Sequence, residues 1–220
     1  MLSEGNAGVD GRRLRWAEHR VARRTELIEA VITTVRARGP VIDLDDVSAV
    51  SGIGKAVLYR YFDDKADLFL AVGREVAERI SSAVVAAVDG QREPRAMLAA
   101  GIAAFLRCVD EDPDLYRFVV HRPLTDQAVR DHSAVVGEHM SRLIGDLLRA
   151  AGLDSGVAEP WAFAMVGAVR AAAERWLDQR TLTRPALAAH LTDLLWSGAG
   201  AASPQKPARR RSARGRPSGS

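Results

Sequence analysis

The sequence predicts an all-α protein of about nine helices, with a small N-terminal helix-turn-helix unit and a larger helical domain behind it. Three observations carry that prediction. Apolar residues recur at three- and four-residue spacing from about residue 20 to 197, with no useful strand-like alternation and no internal repeat. Glycine and proline fall between these stretches, at Gly39-Pro40, Gly52, Pro94, Pro113, Pro123 and Gly152, where helices end or begin. A chain of 220 residues with 47% hydrophobic content can bury a core in one or two domains.

The elements follow in order. Residues 1–18 are Gly-rich and polar up to Arg12, Arg13 and Arg15, and predict a disordered basic arm. The arm is either a phosphate- or minor-groove-binding element or a solubilising leader. From about Ala17 to Arg38, Val21, Leu27, Ile28, Val31, Ile32 and Val35 mark a first amphipathic helix, ended by Gly39-Pro40. Asp43 suits the cap of a second, short helix carrying Leu44, Val47 and Val50, and Gly52 can take the left-handed conformation that ends it. Ile53 plugs the angle, and Lys55 to Phe62 form a third helix with Leu58 and Phe62 inward. Together these helices make up a unit over residues 19–64. Asp63 caps a long fourth helix to about Asp89, a rod of roughly 39 Å at 1.5 Å per residue. Its stripe is Leu68, Val72, Val76, Ile80 and Val84. A fifth helix begins near Pro94, a short sixth spans Pro113 to Val120, and Thr125 caps a seventh that ends at Gly152. The last two run from about Val157 to Gln179 and from about Arg184 to Ser197, closing a domain over 65–197.

Helix, glycine turn and a second helix with a basic, aromatic outer face is the arrangement that seats a recognition helix in the major groove. The stretch Val47 to Lys65, V-S-A-V-S-G-I-G-K-A-V-L-Y-R-Y-F-D-D-K, resembles the helix-turn-helix of the tetracycline-repressor-like (TetR) family, roughly I-A-x-x-A-G-V-S-x-x-x-x-Y-x-[HY]-F-x-x-K. Val47, Gly52, Ile53, Tyr59, Tyr61, Phe62 and Lys65 match in type and spacing. Ser48 and Ser51 stand where alanine is usual, and Gly54 replaces the hydroxyl residue that caps the recognition helix and touches a phosphate. The resemblance implies a homodimeric, ligand-responsive regulator, most simply a repressor, that binds a palindromic double-stranded DNA operator and leaves it when a small effector binds. Lys55 is then placed to read a base edge and Val57 to meet a thymine methyl, while Tyr59, Tyr61 and Lys65 fit phosphates. Gly54, Ala56 and Arg60 complete that surface. Tyr61 has a second reading, as a packing residue of the three-helix unit.

Two further surfaces are expected. Trp161 opens a segment whose small side chains, Ala164, Ala168 and Ala172 among them, allow close helix approach, and Leu187, Leu191, Leu194 and Leu195 supply an apolar face on the next helix. They form either a two-fold dimer interface or intrachain packing. Phe105, Tyr116, Phe118, His121, His132 and Met140 are the candidates for the walls of an effector pocket, and the aliphatic composition points to a lipid-like ligand. An enclosed cavity in residues 90–180 separates this reading from its alternative, a DNA-binding protein without a small ligand that acts through its tail or a protein partner.

Other chemistries find little support. The histidines lack metal spacing, so no metal or cofactor is expected, and no phosphate-binding loop or nucleophile motif suggests catalysis. No apolar run is long enough for a membrane span, and the single Cys108 excludes an intrachain disulfide, so a reducing cytoplasm is expected. The net charge of +3 includes six cations and no acid in residues 197–220, leaving −3 on the rest of the chain. That tail, disordered by composition over 198–220, contains Arg214-Gly215-Arg216-Pro217, which resembles the core of an AT-hook. Minor-groove insertion, loose phosphate attraction and mere solubilisation all remain open for it.

Overall fold

The computed structural model describes residues 7–150 and 152–200, with the backbone alone for 7–17, 123–129, 131–132 and 199–200. Of the tail expected over 198–220, residues 198–200 continue the last helix, and 201–220, with all six cations and the Arg214-Gly215-Arg216-Pro217 segment, lie outside the described residues. Nine α-helices and one 3-10 turn make up the described fold, and no strand occurs among these residues.

Helix α1 runs Ala7–Arg38. It starts well before the predicted boundary, so residues 7–18, expected to be a disordered arm, have helical backbone instead, and 1–6 lie outside the described residues; Arg12, Arg13, Leu14, Arg15, Ala17 and Glu18 are good helix formers that extend the helix backwards. It ends at Gly39, whose φ of 91° suits only glycine without strain. Helix α2, Leu44–Ser51, starts in a reciprocal capping box: the Asp43 carboxylate accepts from the Asp45 and Asp46 amides, and the Asp46 carboxylate accepts from the Asp43 amide. Those bonds hold the Asp43 carboxyl below its usual range, the Asp46 amide most of all. Gly52 closes α2 at φ 71°.

Helix α3 covers only Lys55–Leu58, four residues where the sequence predicts eight. Gly54 offers no side-chain cap, and beyond Leu58 the chain tightens into shorter turns through the bonds Arg60 N to Val57 O and Tyr61 N to Leu58 O. Four aromatic and β-branched side chains in the six residues Val57 to Phe62 disfavour a regular helix here. Helix α4, Lys65–Asp89, is capped by Asp64 instead of Asp63; Asp64 accepts from the Asp67 amide while Asp67 accepts from the Asp63 amide. Helices α5 (Pro94–Glu111) and α6 (Pro113–Val120) each start on a proline whose missing N–H costs nothing there. Helix α7 is Pro123–Ala150, beginning at the proline instead of after Thr125. A 3-10 turn at Ser155–Val157 leads into α8, Ala158–Gln179, and α9 spans Arg184–Gly200 with Thr183 Oγ1 accepting from the Ala186 amide.

Two apolar cores result. The first joins Leu27, Val31 and Val35 of α1 with Val47, Leu58, Phe62, Leu68, Phe69, Val72 and, from α6, Leu115, Phe118 and Val119. The second joins Leu98, Ile102 and Leu106 of α5 with Tyr116 of α6, Val169, Ala173 and Trp176 of α8, and Leu187 and Leu191 of α9. Helix α6 therefore feeds alternate faces into both. Helix α4 packs chiefly on α7 and α5, and α9 chiefly on α5. The helix-turn-helix has no core of its own, and its apolar floor continues into α4 and α6.

Candidate nucleic-acid interface and effector cavity

The recognition segment is pinned from behind by α1. Arg24 donates to the Tyr61 carbonyl, and its guanidinium lies 4.1 Å from the centre of the Phe62 ring. What remains outward is Gly54, Lys55, Ala56, Tyr59 and Arg60, all exposed, with Tyr59 at 51%. Lys65 is exposed at the start of α4, its ammonium 5.3 Å from the Phe69 ring centre. Val57 and Tyr61 sit differently: both are half-buried and pack on the first core. Tyr61 thus takes the packing position that was its second reading, and Val57 has only part of its side chain available outside. Lys55 pairs with Asp45 at 2.7 Å, and that hydrogen bond holds its ammonium charged above the usual range. Asp45, in the first turn of α2, has no expected role at this surface, yet here it competes for Lys55, the foremost base-reading candidate.

Between α4, α5, α6, α7 and α8 lies a cavity of about 90 Å³, bordered by a wider set of apolar side chains. Phe105, Tyr116 and Met140 line it, as expected from the sequence. Phe118 does not; it is 1% exposed and packs edge-on against Phe69 in the first core, with ring centres 5.3 Å apart. Its register on α6 sets it apart, since Tyr116 two residues earlier faces the second core. His121 ends α6 exposed to solvent, and the side chain of His132 lies outside the described residues. The α4 walls Val76, Ile80, Val84 and Val88 are the part the sequence reading missed. Their four-residue spacing was visible, but an apolar stripe alone does not say whether it faces a solid core or a void. Gly101 lets α5 approach this wall, since a Cβ there would stand 3.0 Å from Val88 Cγ2.

Arg122 follows α6 and ties the two ends together. Its guanidinium lies 4.6 Å from the Phe69 ring centre and 4.4 Å from that of Phe118, and it donates to the Ile42 carbonyl just before α2. Burial lowers its pKa from the usual arginine value. On α7, His139 Nε2 lies 2.8 Å from Asp89 at the far end of α4. Cys108 is half-buried, and burial raises its thiol pKa. Among the described residues no three His, Cys, Asp or Glu side chains converge to hold a metal, and no helix is long and apolar enough to cross a membrane.

The eight residues expected at a two-fold interface divide by depth. Leu187 and Leu191 are buried in the second core, with Ala172 and Leu195 packed partly against it, and Trp161 is half-buried. Ala164, Ala168 and Leu194 face outward, Leu194 at 68% exposure, and Phe163 and Trp196 add large exposed apolar groups to the same two helices.

Comparison with known proteins agrees with this architecture. Residues 42–72 match the model described as bacterial regulatory proteins of the tetR family, and residues 83–211 match the tetracyclin repressor-like C-terminal domain. An uncharacterized HTH-type transcriptional regulator of Mycobacterium tuberculosis is 32% identical over 196 residues, covering 86% of this chain and 82% of the relative. The HTH-type transcriptional activator FasR of Mycolicibacterium smegmatis is 26% identical over 158 residues, covering 70% and 72%. In fold, the chain is similar to the transcriptional regulator FadR of Bacillus subtilis in complex with stearoyl-CoA, at a TM-score of 0.66 and 14% identity over 79% of this chain and 98% of that one. A C-terminal match over more than half the sequence, a helix-turn-helix match and a relative aligned over most of its length establish that this chain belongs to the TetR family of DNA-binding transcriptional regulators.

Proposed function

We propose that the chain is a ligand-responsive repressor that binds a palindromic operator as a homodimer and is released by a small apolar effector carrying an acyl chain. The observation that carries this reading is the double duty of α4. Its first turns, Leu68, Phe69 and Val72, belong to the core beneath the recognition segment, and its later turns, from Val76 to Val88, wall the cavity. Ligand pockets typically run to about 300–1,000 Å³, well above the 90 Å³ of this one. A chain entering it must part α4 from α5, α7 or α8, and α4 cannot move without disturbing the floor of the helix-turn-helix. Release then follows as a population shift, in which a 100-fold loss of operator affinity requires about 2.7 kcal/mol of preference for the opened state.

The complex of the structurally similar FadR with stearoyl-CoA supports an acyl chain as the occupant. The exposed faces of α8 and α9, with Ala164, Ala168 and Leu194 outward, support the two-fold interface. Residues 19–64 act as the DNA-binding unit and 65–197 as the effector and dimer domain, in the cytoplasm, with arm and tail flanking them. The small volume of the cavity favours one competing reading, a DNA-binding protein with no small ligand. Selection of a binding site from random duplexes, followed by footprinting and light scattering, tests the proposal. It predicts two protomers and two inverted half-sites with major-groove centres roughly 34 Å apart. A monomer that protects a single half-site would refute it.

A further inference from the structure

We propose that Arg170 and Tyr116 form a head-group site on the cavity wall, and that the effector is a long-chain carboxylic acid whose carboxylate they hold. This rests on the reading that an apolar chain fills the cavity. Among the described residues lining it, Arg170 is the single charged side chain; Tyr116, Ser81 and Ser133 supply hydroxyls and the rest is apolar. Arg170 and Tyr116 already converge on a carboxylate. Glu174 Oε1 lies 3.5 Å from Arg170 Nε and 3.4 Å from the Tyr116 hydroxyl. Glu174 thus occupies, relative to these two donors, the position that a ligand carboxylate would take.

Both contacts are longer than ordinary hydrogen bonds, so Glu174 is held by an ion pair and a long hydroxyl contact. The Glu174 side chain is 42% exposed, so it can turn into water when a second carboxylate arrives. Tyr116 is buried, and burial above all, with the Glu174 charge behind it, keeps its hydroxyl protonated and able to donate. The exchange is balanced in charge: one carboxylate replaces another beside Arg170, and the displaced one is hydrated instead of stranded. A neutral head group cannot drive that exchange, because it would leave the Arg170–Glu174 pair in place and gain only the chain's burial.

The neighbouring cleft argues against a phosphate-bearing head group. About 500 Å³ in volume, it shares Val76, Ile80 and Tyr116 with the cavity and is lined by Glu111, Asp112 and Asp114 against Arg36 and Arg79. Arg36 is held by Asp112 at 2.6 Å, and Arg79 by Glu29 and Glu75. Several phosphates there would meet an excess of acid with its arginines already engaged. A single carboxylate at Arg170 avoids that cleft.

The test compares dodecanoic acid, dodecan-1-ol, methyl dodecanoate and dodecanoyl-CoA binding to the full chain by calorimetry at pH 7.5. Dodecanoic acid is expected to bind ~10- to 100-fold tighter than the alcohol or ester, the range of a hydrogen bond to a charged group. Arg170→Gln should erase that preference and leave alcohol binding unchanged, whereas Glu174→Gln, which removes the internal competitor, should tighten acid binding. A merely structural role would move all ligands together in both variants. Equal binding of acid and alcohol, tighter binding of the CoA thioester than of the acid, or weaker acid binding by Glu174→Gln overturns the head-group site while leaving an apolar effector intact. Failure of every compound to bind overturns the apolar-effector reading as well.

Discussion

Truncating Phe118 should disable the joint between the two halves of the molecule. The side chain is 1% exposed, stacks edge-on to Phe69 and carries Arg122 on its face. In Phe118→Ala the lost transfer of the ring costs about 2 kcal/mol. The void left behind, about 100 Å³ if the walls stay in place, adds about 2.4 kcal/mol at ~24 cal/mol per Å³. A total of about 4 kcal/mol lowers the melting temperature by roughly 8–16 °C in a domain of this size. Phe105→Ala provides the contrast, because Phe105 is half-buried and already borders a void, so its loss should cost about 2 kcal/mol or less. Urea denaturation of both variants against wild type measures the difference. If Phe118→Ala stays within about 1 kcal/mol of wild type, or Phe105→Ala is the more damaging, the assignment of Phe118 to the shared core is wrong.

Other perturbations have equally definite outcomes. The buried Ser48 hydroxyl finds no hydrogen-bond partner among the described residues, so Ser48→Ala should stabilise by about 0.5–1 kcal/mol in the same urea titration. Gly52→Ala meets no atom within 4 Å, so its cost is the left-handed backbone alone, about 1–2 kcal/mol, and a larger loss would reveal an unseen contact. Because the amides of Asp46 and Asp45 hold the Asp43 carboxyl below the usual carboxylate range, the stability of its cap is fully present above that range and fades as pH falls through the lower folded pKa. Asp43→Asn should flatten that acid limb of a pH-stability profile. Asp45→Asn frees Lys55 and removes an acid from the DNA face, so operator affinity should rise, while Lys55→Ala lowers it; the opposite signs would exclude Lys55 from the interface. Truncation after Ser197 removes six cations, and if all of them touch phosphates the log–log salt slope of DNA binding flattens by about 5 units per chain.

The sequence made the helices legible because periodicity and punctuation are local properties. Gly39, Asp43, Gly52, Pro94 and Pro113 stand where the backbone needs a positive φ, a cap or a dispensable N–H, and each marks a boundary within a residue or two. Depth was less legible. Leu187 and Leu194 read alike on one apolar helix, yet one is core and the other is exposed, because α9 is apolar around much of its circumference and periodicity cannot choose a face. Phe118 and Tyr116 likewise belong to different cores through a two-residue offset on α6. Lys55 to Asp45 and Arg122 to the Ile42 carbonyl are contacts between separate elements, of which a stretch of sequence gives little sign; Arg170 and Glu174 stand four apart on one helix and their pairing is legible, but the approach of Tyr116 from α6 to that pair is not.

The cavity and the recognition segment both pack on α4, which is the physical basis for the proposed coupling between them. Fluorescence anisotropy of a selected operator, titrated with the full chain at fixed salt with and without saturating dodecyl ligand, measures that coupling directly. A ligand bound in the cavity should weaken operator binding by about 100-fold, equal to about 2.7 kcal/mol of coupling. Unchanged operator affinity, with calorimetry showing the ligand bound, would contradict it.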